Sequence, residues 1–432
     1  MKNSKAIKQT RNKEHWAWYF YDFGNSAYAA VVLLAVYSVY FKDQVVGGAE
    51  GSRLWGLSVG IAMLVVAITS PILGSIADYS GAKKKFLLFY TSMACIFTAL
   101  LFFVEKGSIF LGMLFFILAE IGYRSAQVFY NSILPEIASE DEMGRVSGNG
   151  WAFGSLGGIV CLLIALALIM IIGGSLIVRL SLVLTAIFFA LSSIPAFVNI
   201  KEKAQPKPLP EGSNYISLAF SRLGTTFKAI KSYKEYIKFI IAFLIYNDGI
   251  LMALNFAAIF GAVIFGMDQQ QLIIFMIIVQ IASVAGAYLF GLVTDKIGGK
   301  KALYISLSIM IAAVIGIYFN NSLTGFFIIG GVAGFALTAV QSVSRTMVGI
   351  LAPNGQSAEF YGFFAVAGRT SSFIGPAVYG WVAAETALLY SSRGYLVNIA
   401  EQMGQRTAML SIIAFLVIGM ILLILVRNKK LS

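Results

Sequence analysis

Reactive side chains are scarce in this sequence: one histidine, two cysteines and 20 Asp and Glu residues are spread over 432 positions. The single histidine, His15, precedes the first apolar run, so a histidine relay at membrane depth is excluded, and no cluster has the spacing of a metal site or an oriented Ser–His pair. The sequence therefore yields no catalytic residue, no metal ligand set and no cofactor site, and an enzyme is not expected. Cys95 and Cys161 both fall inside apolar runs, where cysteine acts as a small core residue rather than half of a disulfide. Charged residues make up only 12% of the chain, whereas soluble domains carry roughly a quarter. The period-two alternation of a membrane β-barrel is missing. So is the short apolar region with a cleavage site that would turn the basic N-terminus into a secretory signal.

Apolar residues fill that space, at 59% of the chain. Segments such as Leu101–Phe116 and Leu156–Gly173 are too apolar for a surface facing water. A helix rises about 1.5 Å per residue, so roughly 30 Å of hydrocarbon takes about 20 such residues to cross. Backbone groups in lipid must pair internally, which favours helices. Twelve spans are predicted, at 17–42, 54–77, 85–104, 109–132, 149–172, 177–199, 237–264, 270–293, 302–319, 323–347, 360–383 and 407–427. The expected fold is an all-alpha polytopic membrane protein: an N-terminal six-helix bundle over 1–199, a cytoplasmic linker over 200–236 and a C-terminal six-helix bundle over 237–432. Residues 385–405 read as the largest outside loop, and Trp16, Trp18 and Trp55 as part of an interfacial aromatic belt.

The net charge of +12 is carried largely by tails and short loops, where basic residues face anionic lipid rather than nucleic acid. Lys2, Lys5, Lys8, Arg11 and Lys13 precede the first span, and Arg427, Lys429 and Lys430 follow the last. The positive-inside rule and the even span count place both termini in the cytoplasm. Compact loops fit a bacterial inner membrane, and a monomer is expected.

Four features recur in register between the halves. Gly74-Ser75-Ile76-Ala77-Asp78 opens a turn ending in Lys83-Lys84-Lys85, and Gly291-Leu292-Val293-Thr294-Asp295 opens one ending in Gly299-Lys300-Lys301. Tyr21-Asp22-Phe23-Gly24-Asn25 is matched by Tyr246-Asn247-Asp248-Gly249, Gly148–Gly154 by Gly362–Gly368, and Pro135 by Pro353. Parallel six-span repeats place a cavity between the halves. Asp78 and Asp295 suit hydrogen bonds from the amides of a neighbouring helix start, and together with Lys84, Lys300 and Arg345 they are the expected gating residues. Lys83, Lys84 and Lys85 are expected to anchor their helix at the headgroups. Ordinary helix-end capping is the alternative role for both turns.

Charged groups at membrane depth need a partner, a cavity or a proton. The substrate and coupling candidates are Asp22, Asn25, Glu120, Arg124, Gln127, Asn247, Asp248 and Arg369. Asp22 and Asp248 are the carboxylates placed to take up a proton, or else permanent structural partners. Glu120 and Arg124 are spaced i,i+4 in span four. They form either a neutralised pair or a site in which the planar Arg124 fork holds a substrate carboxylate.

Twelve spans, the six-plus-six repeat and both Gly-x-x-x-Asp turns resemble the major facilitator superfamily. The first turn departs from that pattern with Tyr79 and a lysine run, while Asp295-Lys296-x-Gly298 is nearer to it. Trp18-Tyr19-x-Tyr21-Asp22-Phe23-Gly24-Asn25-Ser26-Ala27-Tyr28, with Tyr130-Asn131-Ser132-x-Leu134-Pro135-Glu136, is similar to the autophagy-related vacuolar amino-acid effluxer family and its bacterial unknown-major-facilitator relatives. Those proteins often have alanine at the place of Gly24. The resemblance implies passage of small solutes, neutral amino acids among the vacuolar members. The expected function is secondary active transport of a small polar, amino-acid-like solute by alternating access, as symport or antiport, with protons as the open choice of coupling ion. A passive facilitator, or a non-transporting receptor or scaffold on the same fold, is the alternative.

Overall fold

The computed structural model describes residues 2–203, 206, 233–267 and 269–427; within these, the side chains of 2–10, 48–50, 52, 258, 262, 269–270, 273 and 369–373 are outside the description. All regular structure among the described residues is helical. Twelve long helices are seen among the described residues. They are α1 (Lys2–Tyr28), α2 (Gly48–Ser80), α3 (Lys83–Leu100), α4 (Ile109–Ile137), α5 (Met143–Ile172), α6 (Ser175–Asn199), α7 (Lys234–Ile259), α8 (Gln269–Ile297), α9 (Gly299–Phe319), α10 (Leu323–Leu351), α11 (Ser357–Ser392) and α12 (Val397–Ile424). Eleven helical segments are long and apolar enough to cross a membrane among the described residues, and α11 adds a helix of 36 residues.

The chain divides into two compact units. One comprises Met1–Phe227 with Ala352–Ala365, the other Lys228–Leu351 with Val366–Ser432. In the first, α1 packs on α5 and α6, α2 on α4, and α3 on α4 and α6. In the second, α7 packs on α12, α8 on α10, and α9 on α10 and α12. Four pairings thus recur six helices later: α1–α6 as α7–α12, α2–α4 as α8–α10, α3–α4 as α9–α10, and α3–α6 as α9–α12. Large apolar side chains such as Leu34, Met170 and Ile171 point outward, as expected where the solvent is hydrocarbon rather than water.

The sequence motifs account for the helix ends. Gly81 stops α2 in the left-handed region at φ 61° with its N–H on Ala77 O, and Gly298, at φ 84°, starts α9. Only glycine adopts such angles without strain. Arg179 near the start of α6 donates to Phe102 O at 3.2 Å and pairs with Glu105, while Arg406 in the third turn of α12 donates to Tyr318 O and to Asn320 O. At the other ends of the same helix pairs, Lys84 Nζ reaches Ile200 O at 2.7 Å and Lys300 Nζ reaches Ile424 O at 3.0 Å. Each antiparallel pair, α3–α6 and α9–α12, is therefore capped reciprocally: a cation on each helix satisfies carbonyls that end its partner.

Three expectations are corrected. The outside loop at 385–405 is mostly helix: α11 runs to Ser392 and α12 begins at Val397, with Gly394 at φ 85° between them. Glu385 through Tyr390 continue the helix because nothing in that stretch breaks it, so polarity alone misled the reading. Trp18 is no belt residue; it is fully buried, whereas Trp16 is exposed. Lys83 does not reach the headgroups; it is 1% exposed. Most of the linker, residues 207–232, lies outside the described residues.

Candidate functional site

Two groups of polar side chains stand out in the first unit. The first lies where α2 turns into α3. Asp78 is buried, and its carboxylate accepts the N–H groups of Glu359 at 2.8 Å and Ala358 at 3.2 Å. These amides belong to the first turn of α11, whose N–H groups have no partner within the helix and carry its positive end. Lys83 Nζ lies 3.0 Å from Asp78 Oδ1 and 2.6 Å from Glu136 Oε1, and donates to Ser357 Oγ at 2.7 Å. Ser357 Oγ in turn donates to Ser132 O at 2.8 Å. A buried ammonium is tolerated only when paired and hydrogen-bonded on all sides, which this arrangement achieves. Backbone contact completes the docking. A Cβ on Gly74 would lie 2.4 Å from Ala358 O, and one on Gly362 would lie 2.8 Å from Ser70 O. Residues 352–365 are thus fixed to α2, α3 and α4 by both charge and close packing.

The second group is built by the motif on α1. Trp18 stacks on Tyr130 at 4.3 Å between ring centroids and donates its indole N–H to Tyr130 O at 3.0 Å. Tyr21 stacks on the same ring, and its hydroxyl shares a hydrogen with Thr91 at 2.7 Å. One helical stretch further, Tyr28 stacks on Tyr123 at 4.5 Å. These contacts fix the register of α1 against α4. α1 also meets α5 so closely that a Cβ on Gly154 would lie 2.9 Å from Asp22 Cγ.

On α4, Glu120, Tyr123 and Gln127 fall on one face at i, i+3 and i+7, with Arg124 beside them. Glu120 is fully buried and its Oε1 accepts Arg124 Nε at 2.7 Å. Its Oε2 is bonded by no donor among the described residues, although Tyr28 lies beside it. Asn25 Oδ1 is likewise buried without a donor among those residues. Arg124 lies over the Tyr123 ring at 5.1 Å and keeps 27% of its side chain exposed. The structure therefore brings Glu120 and Arg124 together on α4, with Tyr28 of α1 stacked on the intervening Tyr123, and Asn25 lies one turn along α1 from Asp22.

The second unit has its own polar layer. Gln341 donates to Asn247 Oδ1 at 3.0 Å, and Tyr246 and Ser344 share a hydrogen bond at 2.7 Å. Asp248 Oδ1 accepts Gly375 N at 2.9 Å, and a Cβ on Gly375 would lie 2.9 Å from that oxygen. Arg345 is buried on α10 at 4% exposure. The Arg369 side chain lies outside the described residues. Asp295 is half-buried, and Lys300 caps α12 as described above. Sequence reading missed Lys83, Glu136 and Ser357. Lys83 carried a signal, since it follows Asp78 by five positions, but nothing in its spacing told it apart from Lys84 and Lys85. Beyond these, burial pushes the Glu202 carboxyl up from its ordinary range, against the hydrogen bond from Lys84 N.

A family model described as "Vacuole effluxer Atg22 like" matches residues 55–431. The chain belongs to this family. Among curated relatives, an uncharacterized MFS-type transporter YxiO of Bacillus subtilis is 28% identical over 428 residues, covering 96% of this chain and 95% of that protein. Autophagy-related protein 22 of Yarrowia lipolytica is 26% identical over 275 residues, covering 56% of this chain and 46% of the fungal protein. Among solved structures, the human organic anion transporter MFSD10 superposes with a TM-score of 0.71 at 12% identity over 96% of this chain and 99% of that one. The major facilitator transporter FucP does so with a TM-score of 0.65 at 15% identity over 95% and 98%. This Atg22-like chain is an integral membrane transporter with the twelve-helix major facilitator fold. A transporter implies a small-molecule substrate.

Proposed function

We propose that this Atg22-like transporter moves a small amino-acid-like solute by alternating access. The observation that carries the reading is Arg124: a guanidinium at membrane depth that gives Nε to Glu120 and leaves its outer edge partly exposed. A planar fork of that kind recognises a carboxylate. Asp22 and Asn25 suit the ammonium of the same solute, and Gln127, Asn247 and Asp248 are further candidates for solute or ion contact, with Arg369 a second cationic one. In this reading the docking of 352–365 through Asp78 shuts one side, and its release opens that side; Asp295 and Arg345 complete the gating set, while Lys84 and Lys300 hold the ends of the helices that move. The proposed drive is a proton gradient exchanged through Asp22 and Asp248, in a bacterial cytoplasmic membrane with both termini inside. The two six-helix bundles of 1–199 and 237–432, joined by 200–236, are the proposed moving bodies.

The test is uptake into proteoliposomes of a panel of labelled zwitterionic, anionic and cationic small solutes, with and without an imposed proton gradient. Saturable uptake of a carboxylate-bearing solute, lost in Arg124→Ala and raised by the gradient, is expected. Binding with no movement of any solute on the panel would refute transport, and gradient-independent uptake would refute the coupling.

A further inference from the structure

The first unit carries a feature that the transport reading does not use. After α6 ends at Asn199, residues 200–203 run across the end of the bundle that holds Asp78. Lys201 N donates to Glu14 Oε1 at 3.3 Å, and Glu202 Oε1 accepts Lys84 N at 3.1 Å in the first turn of α3. Lys203 makes three contacts: its N–H reaches Glu136 Oε2 at 3.5 Å, its Nζ donates to Glu136 O at 2.6 Å, and its Nζ pairs with Glu14 Oε2 at 3.5 Å. Glu136 is therefore shared. Oε1 faces the buried Lys83 at 2.6 Å, and Oε2 faces the strap. From there the contacts continue through Lys83 to Asp78 and Ser357, and so to the start of α11.

Among the described residues, the six-helix repeat shows only part of this. Arg427 N, just after α12, donates to Glu235 at the start of α7, as Lys201 N does to Glu14. At the place corresponding to Glu136, after Pro353, stands Asn354, which is exposed. Asn354 carries no carboxylate, so the described residues hold no second Glu136 at this place.

We propose that Lys203 is a positioning residue for the docking of 352–365: its ammonium ties the Glu136 carbonyl to Glu14 and so sets the Glu136 carboxylate toward Lys83, and Glu136 in turn keeps the Lys83 ammonium where it binds Ser357 and Asp78. Without the strap, Glu136 gains freedom to turn toward water. Lys83, at 1% exposure, then loses a counter-charge, and a buried cation so stripped is strongly disfavoured. Docking weakens as a result. The inference rests on the transport reading only in taking that segment to release during the cycle.

The experiment uses the full chain with Cys95→Ser and Ala358→Cys, reconstituted without solute. Ala358 is fully buried, as is the retained Cys161, so maleimide labelling at 358 reports undocking while labelling at 161 reports general unfolding. Lys203→Ala is expected to speed labelling at 358 roughly threefold. Glu136→Gln is expected to do so roughly tenfold. The double variant should match Glu136→Gln alone, because Lys203, which holds the Glu136 carbonyl, acts only by placing the Glu136 carboxylate. Lys203→Arg should restore the parental rate, and position 161 should stay silent throughout. Should Glu136→Gln fail to fold, Glu136→Asp replaces it in the same cycle. An unchanged rate in Lys203→Ala, or effects that simply multiply in the double variant, would overturn the proposal. Loss of the transport reading would instead appear as absent uptake by the parental protein, with the labelling cycle intact.

Discussion

The two turns that open with Gly-x-x-x-Asp read alike and are built differently. Each is followed five positions after its aspartate by a lysine, Lys83 or Lys300. Lys83 points into the bundle and meets Asp78, Glu136 and Ser357. Lys300 runs outward and caps α12 at Ile424 O and Val426 O. The difference comes from where the helix begins. α3 starts at Lys83 itself, while α9 starts one residue before Lys300, at Gly299. With 3.6 residues per turn, one position rotates a side chain by about 100°. In the first bundle Lys84 then takes over the capping of α6 through Ile200 O, which frees Lys83 for the buried network. One residue of helix phase separates a docking centre from a structural cap.

That contrast can be broken most directly at the aspartates. Asp78→Ala leaves Lys83 buried with one carboxylate fewer and orphans two amides of α11. Labelling at Ala358→Cys should rise roughly a hundredfold, in line with the several kcal/mol that follow removal of one partner from a buried pair. Asp295→Ala, at a half-buried position, should change the same rate by less than about threefold. Comparable effects would erase the asymmetry. A sharper comparison uses Glu136 and Asn354. Glu136→Gln should raise labelling at 358 roughly tenfold, and Asn354→Asp, at an exposed position, less than about twofold. The smallest effects should be the symmetric ones. Lys84→Ala and Lys300→Ala each remove a cation from a helix C-terminus, so each should cost about 1 kcal/mol in thermal unfolding. Unequal losses would show that the two caps are not the same device.

Much of the architecture was readable because lipid imposes it. The apolar runs gave the helices, and the four paired features gave the repeat that helix pairing reproduces in α2–α4 and α8–α10. Long helices were harder to delimit, since 385–392 is polar enough to resemble a loop and yet contains no breaker. The site was legible where chemistry is local: Glu120 and Arg124 are one helical turn apart, so their pairing follows from spacing. It was illegible where distant segments meet. Nothing in the order of residues places Glu136, Ser357 and Lys203 around Lys83, because their encounter depends on how α4, α11 and the strap converge. Trp18 illustrates the same point, since an aromatic near a helix end suits both an interfacial belt and the Tyr130 stack that it forms.

Release of 352–365 during the transport cycle is the claim on which the account stands or falls. It is tested by labelling Ala358→Cys in proteoliposomes while a solute that the vesicles take up is added at saturation. A solute that drives the cycle must shift the balance of docked and undocked states, so the labelling rate should change by at least about twofold, and Arg124→Ala should abolish that change. A rate that stays constant while the solute is being transported would contradict the account.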